Sequence, residues 1–456
     1  MADLPDNKQK TPFYQTATAV FLLALILRLA FAAAGLMEPG DGRFSRPDSE
    51  SYLANAASLF HTGEYRNSDG DLTAHRTPGL PLLLACLKPA ADNGTTLFSV
   101  VLLVIGSLCV YPVYGACRTL APPGASALAT ALFALHPTAI GAAPVLLSDT
   151  LFLFFTALTL YFFARFAFEE KHDPFFWGCT VLFAGVGTLV RPVNILWLIP
   201  AVIALLPVKD VSFRRKLIYA GAAVVLFCAI TVPWMVRNHS IGAGWRLDSS
   251  SVSTMIHNAS TLESNLTDLP ADEIRDRYRA EQEREFEAFP WKYSTKAEQY
   301  AYTEQKMASV IAAHPVRYVA MTCRPYVFLP DVPTLLENNG ITQSGRGTFD
   351  VLNREGIIAA VKHYFDDDNV WILCLMLPLI LAALALYVLT AAGWIKALLK
   401  RRWLPVFLPI GFGLYYTVMT GPVQMPRYIL PALPVFVLCA AMALTKENRK
   451  TPPEKV

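Results

Sequence analysis

Ten apolar runs constrain this chain more than anything else in it: 15–37, 95–117, 121–137, 150–168, 175–190, 193–207, 217–236, 369–393, 403–420 and 428–444. The hydrocarbon core of a bilayer is about 30 Å thick and takes roughly 20 apolar residues of helix to cross. Several of the runs are short for that, but all are long or nearly long enough. The expected fold class is therefore α, a polytopic membrane protein of about ten transmembrane helices. Composition agrees. Hydrophobic residues make up 54% of the chain and charged residues 16%, where soluble domains carry roughly 25% charge. The net charge of +3 is too small to argue for nucleic acid as a partner. The eight cysteines are scattered and form no CxxC pair, so they read as small buried hydrophobes and support no zinc site.

The first run resembles a signal peptide in following Lys8 and Lys10. It carries Arg28 inside it, however, lacks a small-x-small cleavage site, and is followed by many more spans, so it reads as a retained helix. The segment 175–207 is either one tilted helix or two short ones broken at Arg191-Pro192. Two helices place Lys209, Arg214, Arg215 and Lys216 on the side of Lys8 and Lys10. Lys396, Lys400, Arg401, Arg402 and the basic tail from Lys446 to Lys455 fall there too. One helix would put all of these outside, against the tendency of cytoplasmic loops to hold the excess of Lys and Arg. Two helices are expected, with both termini cytoplasmic.

Three segments then lie outside: 38–94, 138–149 and about 130 residues from Arg237 to Asp368. The chain divides into an N-terminal transmembrane module of seven helices (1–236) that includes the outer loop 38–94, an outer domain (237–368), and a C-terminal three-helix module with a cytoplasmic tail (369–456). Within the first loop, Leu80 to Leu87 is too short to span and reads as a helix lying in the membrane interface. His314 to Pro330 reads the same way. Residues 268–312, rich in Glu, Arg, Lys and Ala, read as polar-faced helices. The sequons at Asn93, Asn258 and Asn265 are no more frequent than chance.

A chain that is mostly membrane has little polar sequence to spare, so polar clusters at span mouths are candidate sites. The first loop holds two, RPDSESY (Arg46 to Tyr52) and HRTPGLP (His75 to Pro81). Asp48 and Tyr52 are four apart and share a face of any helix there. The plainer role for Asp48 is an N-cap. Asp149, in LLSDTLFLFF, opens the fourth span and is a second candidate acid, or equally a cap with Ser148. If the two carboxylates come close, they need a shared proton, a cation or a basic partner. Arg76, Arg191, Arg237 and Arg427 each flank an apolar run on the outer side, at the level of a phosphate head group. The planar guanidinium fork suits phosphate oxygens, although a single arginine there also serves as a lipid anchor. His75 is ambiguous.

These residues resemble a family. PDSxxYLxxAxxLxxxGxY (Pro47 to Tyr65) followed by HRTPGLPLL is similar to the first outer loop of GT-C fold, polyprenyl-phosphate-sugar-dependent glycosyltransferases, among them the protein O-mannosyltransferase and lipid A aminoarabinose transferase relatives. SDTLFLFF (148–155), TVPWMVRNHSIGAG (231–244), AAHPVRYV (312–319) and MPRYILPALPVF (425–436) follow in the expected order. The resemblance implies that Asp48 is the catalytic base and that Arg76 and Arg427 contact the donor phosphate. Such loops commonly carry adjacent Asp-Glu, whereas Ser49 here separates Asp48 from Glu50, which leaves Glu50 as an alternative acid.

The chemistry expected is an inverting transfer of a sugar from a polyprenyl-phosphate carrier to a lipid, glycan or protein acceptor, at the outer face of a plasma or inner membrane. A polyprenyl phosphate leaves as a stable anion, so its departure calls for positive charge, and one carboxylate takes the acceptor's proton. Glycoside hydrolysis, by contrast, needs two flanking carboxylates. No cofactor is required, and Asp48 and Asp149 could share a divalent cation. The competing readings are a secondary transporter, which tends to show paired repeats and midplane charges, and an oligosaccharide polymerase or ligase on a related fold.

Overall fold

The computed structural model describes residues 13–38, 42–88, 95–267, 269–341 and 371–445, with isolated positions between 351 and 363. Lys8, Lys10, the sequon at Asn93 and the basic tail from Lys446 lie outside the described residues. Among the described residues the chain is almost wholly helical, and its extended pairing is a single bridge between Arg66 and Leu72. Among the described residues, six helices are long and apolar enough to cross a membrane: Gln15–Met37, Thr96–Arg118, Asp149–Phe168, Phe213–Ser240, Cys374–Leu399 and Pro426–Leu444. Four shorter apolar helices, Pro123–Ala134, Pro174–Val190, Pro192–Leu205 and Trp403–Val418, fall on the remaining runs. The chain is a polytopic α-helical membrane protein, as its hydropathy requires.

The break at Arg191-Pro192 has a local cause. A proline disfavours helical backbone in the residue before it, and Arg191 is extended at φ −138° and ψ 123°. Beyond it, Asn194 turns its side-chain amide back to the Ala184 carbonyl (2.9 Å) and the Thr188 hydroxyl (3.3 Å). The segment is thus broken into Pro174–Val190 and, after the turn Pro192–Leu196, Leu198–Leu205, and is not one tilted helix. Close approach elsewhere relies on small residues, as is common between helices in membranes. Gly393, for example, has the Cys439 carbonyl where a Cβ would stand. Arg28, in the first span, is wholly enclosed by neighbouring helices and donates to the Ala24 carbonyl (3.1 Å).

Residues 138–149, one of the three segments expected outside, are packed into the bundle. The segment forms a short helix, Pro137–Gly141, and every residue from His136 to Leu153 is buried. It is clamped from above by Asn338, whose amide donates to the Gly141 carbonyl (2.8 Å), and by the Asp331 backbone N–H, which donates to Thr138 Oγ1 (3.1 Å).

On the same end of the bundle, helices Ser250–Thr267, Ala271–Ala288 and Lys296–Ala313 pack around Ile256, Ala259, Ile274, Tyr278 and Met307, a small core of their own. The third begins at a capping box in which Thr295 and Glu298 satisfy each other's backbone N–H groups. Helix Pro315–Thr322 follows, with Val316 and Val319 exposed. The first loop supplies Ser49–Thr62 and Gly79–Leu87, which lie against each other and bury Tyr52, Ala56, Leu80 and Leu84.

Candidate active site

Asp48 stands at the N-cap position of helix Ser49–Thr62, yet its side chain makes no capping hydrogen bond. Its Oδ1 instead accepts from Arg76 Nη2 at 2.6 Å, and Arg76 Nε donates to Ser51 Oγ at 2.9 Å. The guanidinium also lies 4.9 Å over the Tyr52 ring. The spacing of RPDSESY is explained by this turn. Ser49 points inward, where its hydroxyl donates to the Leu146 carbonyl (2.8 Å) and accepts from the Arg46 N–H (2.9 Å). Asp48 and Tyr52 are left facing Arg76. Glu50 does not join them: two residues on is about 200° around a helix, and it faces a separate cavity of about 610 Å³ lined by Arg46, Leu53, Ala57, Lys88 and Phe98.

Asp149, the first residue of helix Asp149–Phe168, is buried and paired with Arg191 Nη1. Tyr52 joins the two acid–arginine pairs, since its hydroxyl donates to Ser148 Oγ (3.2 Å), next to Asp149. The HRTPG segment brings the arginines together. Thr77 Oγ1 donates to the Val190 carbonyl (2.8 Å), one residue before Arg191. Gly79 packs so closely there that a Cβ would stand 2.6 Å from Val190 Cγ2 and 2.8 Å from the Leu189 carbonyl.

Arg427 completes the cluster. It opens the 3₁₀ turn Pro426–Ala432, and its charge acts on both Asp48 and Asp149. Its guanidinium and that of Arg191 each lie 5.7 Å from the Tyr428 ring. Arg427 Nε is buried with no hydrogen-bond partner among the described residues. Three arginines therefore converge on Asp48 and Asp149 at one mouth of the bundle.

Electrostatics favour an ionised Asp48. Burial by itself would raise its carboxyl, but Arg76, with Arg427 and His75, outweighs burial and holds it below the ordinary aspartate range. His75 is held below the usual histidine value by burial and by Arg76. The fourth candidate arginine is placed elsewhere. Arg237 donates to the Thr73 and Tyr65 carbonyls and lies against the Tyr65 and Trp234 rings, so it braces the loop and faces neither acid. Among the described residues, no group of three or more His, Cys, Asp or Glu side chains is placed to hold a metal ion.

Three groups near the site carry no sequence signal of their own. Asp248 is buried behind the HRTPG loop, within the field of Arg76. His257, on helix Ser250–Thr267, lies within the field of Asp48, and its Nδ1 accepts from Arg275 Nη1 at 2.9 Å. Asp331 is buried near Arg46 and Arg427. The packing of distant segments brings Asp248 and Asp331 here.

With this geometry in place, similarity to known proteins can be weighed. Residues 76–235 match the family of dolichyl-phosphate-mannose-protein mannosyltransferases. No curated protein matches the chain in sequence. The structure superposes on the oligosaccharyltransferase of Archaeoglobus fulgidus in its apo form with a TM-score of 0.50 and 14% identity, covering 96% of this chain and 50% of that one. This chain has the GT-C fold. Two further solved structures are similar at lower scores. One is ArnT from Cupriavidus metallidurans bound to undecaprenyl phosphate (TM-score 0.47, 15% identity, 95% of this chain and 59% of that one). The other is the oligosaccharyltransferase AglB from Archaeoglobus fulgidus with an inhibitory peptide and a dolichol-phosphate (0.49, 15%, 94% and 50%). The chain spans between half and three-fifths of the length of these structures. The resemblance first carried by PDSESY and HRTPGLP is thereby borne out at the level of fold.

Proposed function

We propose that this protein transfers a sugar from a polyprenyl-phosphate carrier to an acceptor at the outer face of the membrane, with inversion at the sugar carbon. The observation that carries this reading is the convergence of Arg76, Arg191 and Arg427 on Asp48 and Asp149 at one mouth of a GT-C bundle, with Arg427 Nε unspent. The donor's phosphodiester head group, at the interface with its prenyl tail in lipid, is an anion that gains charge as it becomes the monoester, and the arginines suit it.

Asp48 is the catalytic base in this reading. It is ionised, half-exposed toward the outer helices, and able to take a proton from an incoming hydroxyl or amine as that group attacks the sugar. The bond from the sugar carbon to the phosphate oxygen breaks as the new bond forms, and the growing charge on the phosphate is met by Arg76 and Arg427. Arg191 holds Asp149 and presents its remaining edge to the same space. Tyr52 and His75 support the pair Asp48–Arg76. Because the leaving group departs as an anion, neither a general acid nor a resident cofactor is called for. The acceptor, whether lipid, glycan or protein, approaches from the side of the outer helices. The orientation that fits is a plasma-membrane protein with this mouth outside and both termini in the cytoplasm.

The test is whether purified protein in lipid nanodiscs releases free polyprenyl phosphate from a radiolabelled polyprenyl-phosphate sugar. Transfer from a nucleotide sugar with no lipid donor present would refute the proposal.

A further inference from the structure

Asp248 is a buried acid beside the cluster that the scheme above leaves unused. It is 3% exposed, and its Oδ2 accepts from Ser250 Oγ. Its location is fixed by the backbone around it. The Ser249 N–H donates to the Ala74 carbonyl (2.8 Å), two residues before Arg76. The Leu247 carbonyl accepts from Trp234 Nε1 (2.9 Å) and Asn238 Nδ2 (3.0 Å). Tyr65, which donates to the Arg76 carbonyl (3.1 Å), faces Asp248 from the first loop and is itself braced by Arg237. The cations acting on the carboxylate are Arg76 and Arg246. Arg246 is in turn paired with Glu304 at 2.8 Å, on helix Lys296–Ala313 of the outer helices.

A helix cap would account for an acid ahead of helix Ser250–Thr267, but not for burying it between two arginines, since an enclosed carboxylate is costly unless opposite charge meets it. Arg76 pairs with Asp48 and Arg246 with Glu304, and Asp248 lies in the field of both arginines without pairing directly with either.

We propose that Asp248 is a positioning residue that shares Arg76 with Asp48, setting how much of that guanidinium's charge reaches the base. With Asp248 ionised, part of the Arg76 field is spent behind the loop and Asp48 keeps more proton affinity. With Asp248 neutral, Arg76 acts on Asp48 undivided and makes it a weaker base. Burial, only partly countered by Ser250, Arg76 and Arg246, pushes the Asp248 carboxyl up to about 6, so the change falls in an accessible pH range. The role in turnover rests on the transfer reaction proposed above, whereas the coupling of Asp248 to Arg76 does not.

Two measurements separate the two. In the first, melting temperature is followed from pH 4 to pH 8. The folded carboxyl lies above its unfolded value of about 3.9. The stability it contributes is therefore full below about pH 4 and is lost as pH rises through about 6. Asp248→Asn should flatten that slope. Arg76→Ala should move it to higher pH, because the cation that favours the carboxylate is gone. A slope untouched by Arg76→Ala would overturn the coupling, whatever the enzyme's activity. In the second, polyprenyl phosphate release is followed against pH. Asp248→Asn should lower kcat about tenfold above pH 7 without raising KM for the donor, and should abolish the limb near pH 6. Asp248→Glu should restore both. A raised KM with the limb intact, or no rescue by Glu, would reduce Asp248 to a fold-stabilising residue. Absence of release from the wild type would instead refute the reaction and leave the melting result standing.

Discussion

The Thr77 hydroxyl donates to the Val190 carbonyl at 2.8 Å, across 113 residues of chain. That bond docks the HRTPG segment on the end of helix Pro174–Val190 and sets Arg76 beside Arg191. Gly79 allows the contact, since any Cβ would meet Val190 and the Leu189 carbonyl. Gly79→Ala should therefore destabilise the protein by about 1–3 kcal/mol, as overpacking does, and weaken donor binding by moving Arg76 away from Arg191. Thermal melting with and without a polyprenyl phosphate checks both effects. A variant as stable and as active as wild type would show that the close packing is not needed.

Asp48→Asn should lower polyprenyl phosphate release by about 10²–10⁴-fold, the usual loss for a general base, with donor affinity largely kept. Glu50→Gln, on the opposite face of the helix, should act near the wild-type rate. The reverse pattern in single-turnover assays would transfer the role to Glu50.

Arg427→Ala should raise KM for the donor and lower kcat together, because charge on the phosphate grows as the sugar leaves. Arg427→Lys should recover only part of the loss, since the forked contact is gone. Arg237→Ala should act differently: a brace of the Tyr65 and Thr73 carbonyls affects melting temperature more than donor affinity. Isothermal titration with a polyprenyl phosphate distinguishes the two.

The low carboxyl of Asp48 fixes the sign of its pH dependence. A depressed folded value contributes stability above the unfolded value of about 3.9, and that stability is lost as pH falls through the folded one. Asp48 is thus ionised throughout the range in which Asp248 titrates. Any activity limb near pH 6 should survive every change at His75 and vanish on Asp248→Asn. A limb removed by His75→Gln would assign it to the histidine instead.

Reporter fusions after residues 70, 145 and 300 should signal the outside, and those after 172, 212 and 399 the cytoplasm. A cytoplasmic signal at 300 would contradict the two-helix arrangement at Arg191-Pro192.

The sequence by itself determined the bundle, because apolar length in a bilayer leaves helices as the solution, and all ten runs became helices. It determined the break at Arg191-Pro192, since proline acts on its immediate neighbour. It also marked Asp48, Asp149, Arg76, Arg191 and Arg427, because charge at the mouths of apolar runs stands out against a lipid-facing background. What those residues touch was decided only by tertiary structure. Asp48 and Asp149 each also had a cap reading, and what decides against it is Arg76 and Arg191, which packing delivers from 28 and 42 residues away. Arg237 carried the same local signature as its fellows and turned out to brace a loop. The burial of the segment from His136 to Leu153 was likewise decided by tertiary structure, since hydropathy records length and polarity but not what folds over the top. Asp248 had no distinguishing context at all. Its setting depends on a backbone bond from Ser249 to Ala74, and a contact between segments so far apart leaves no trace in local pattern.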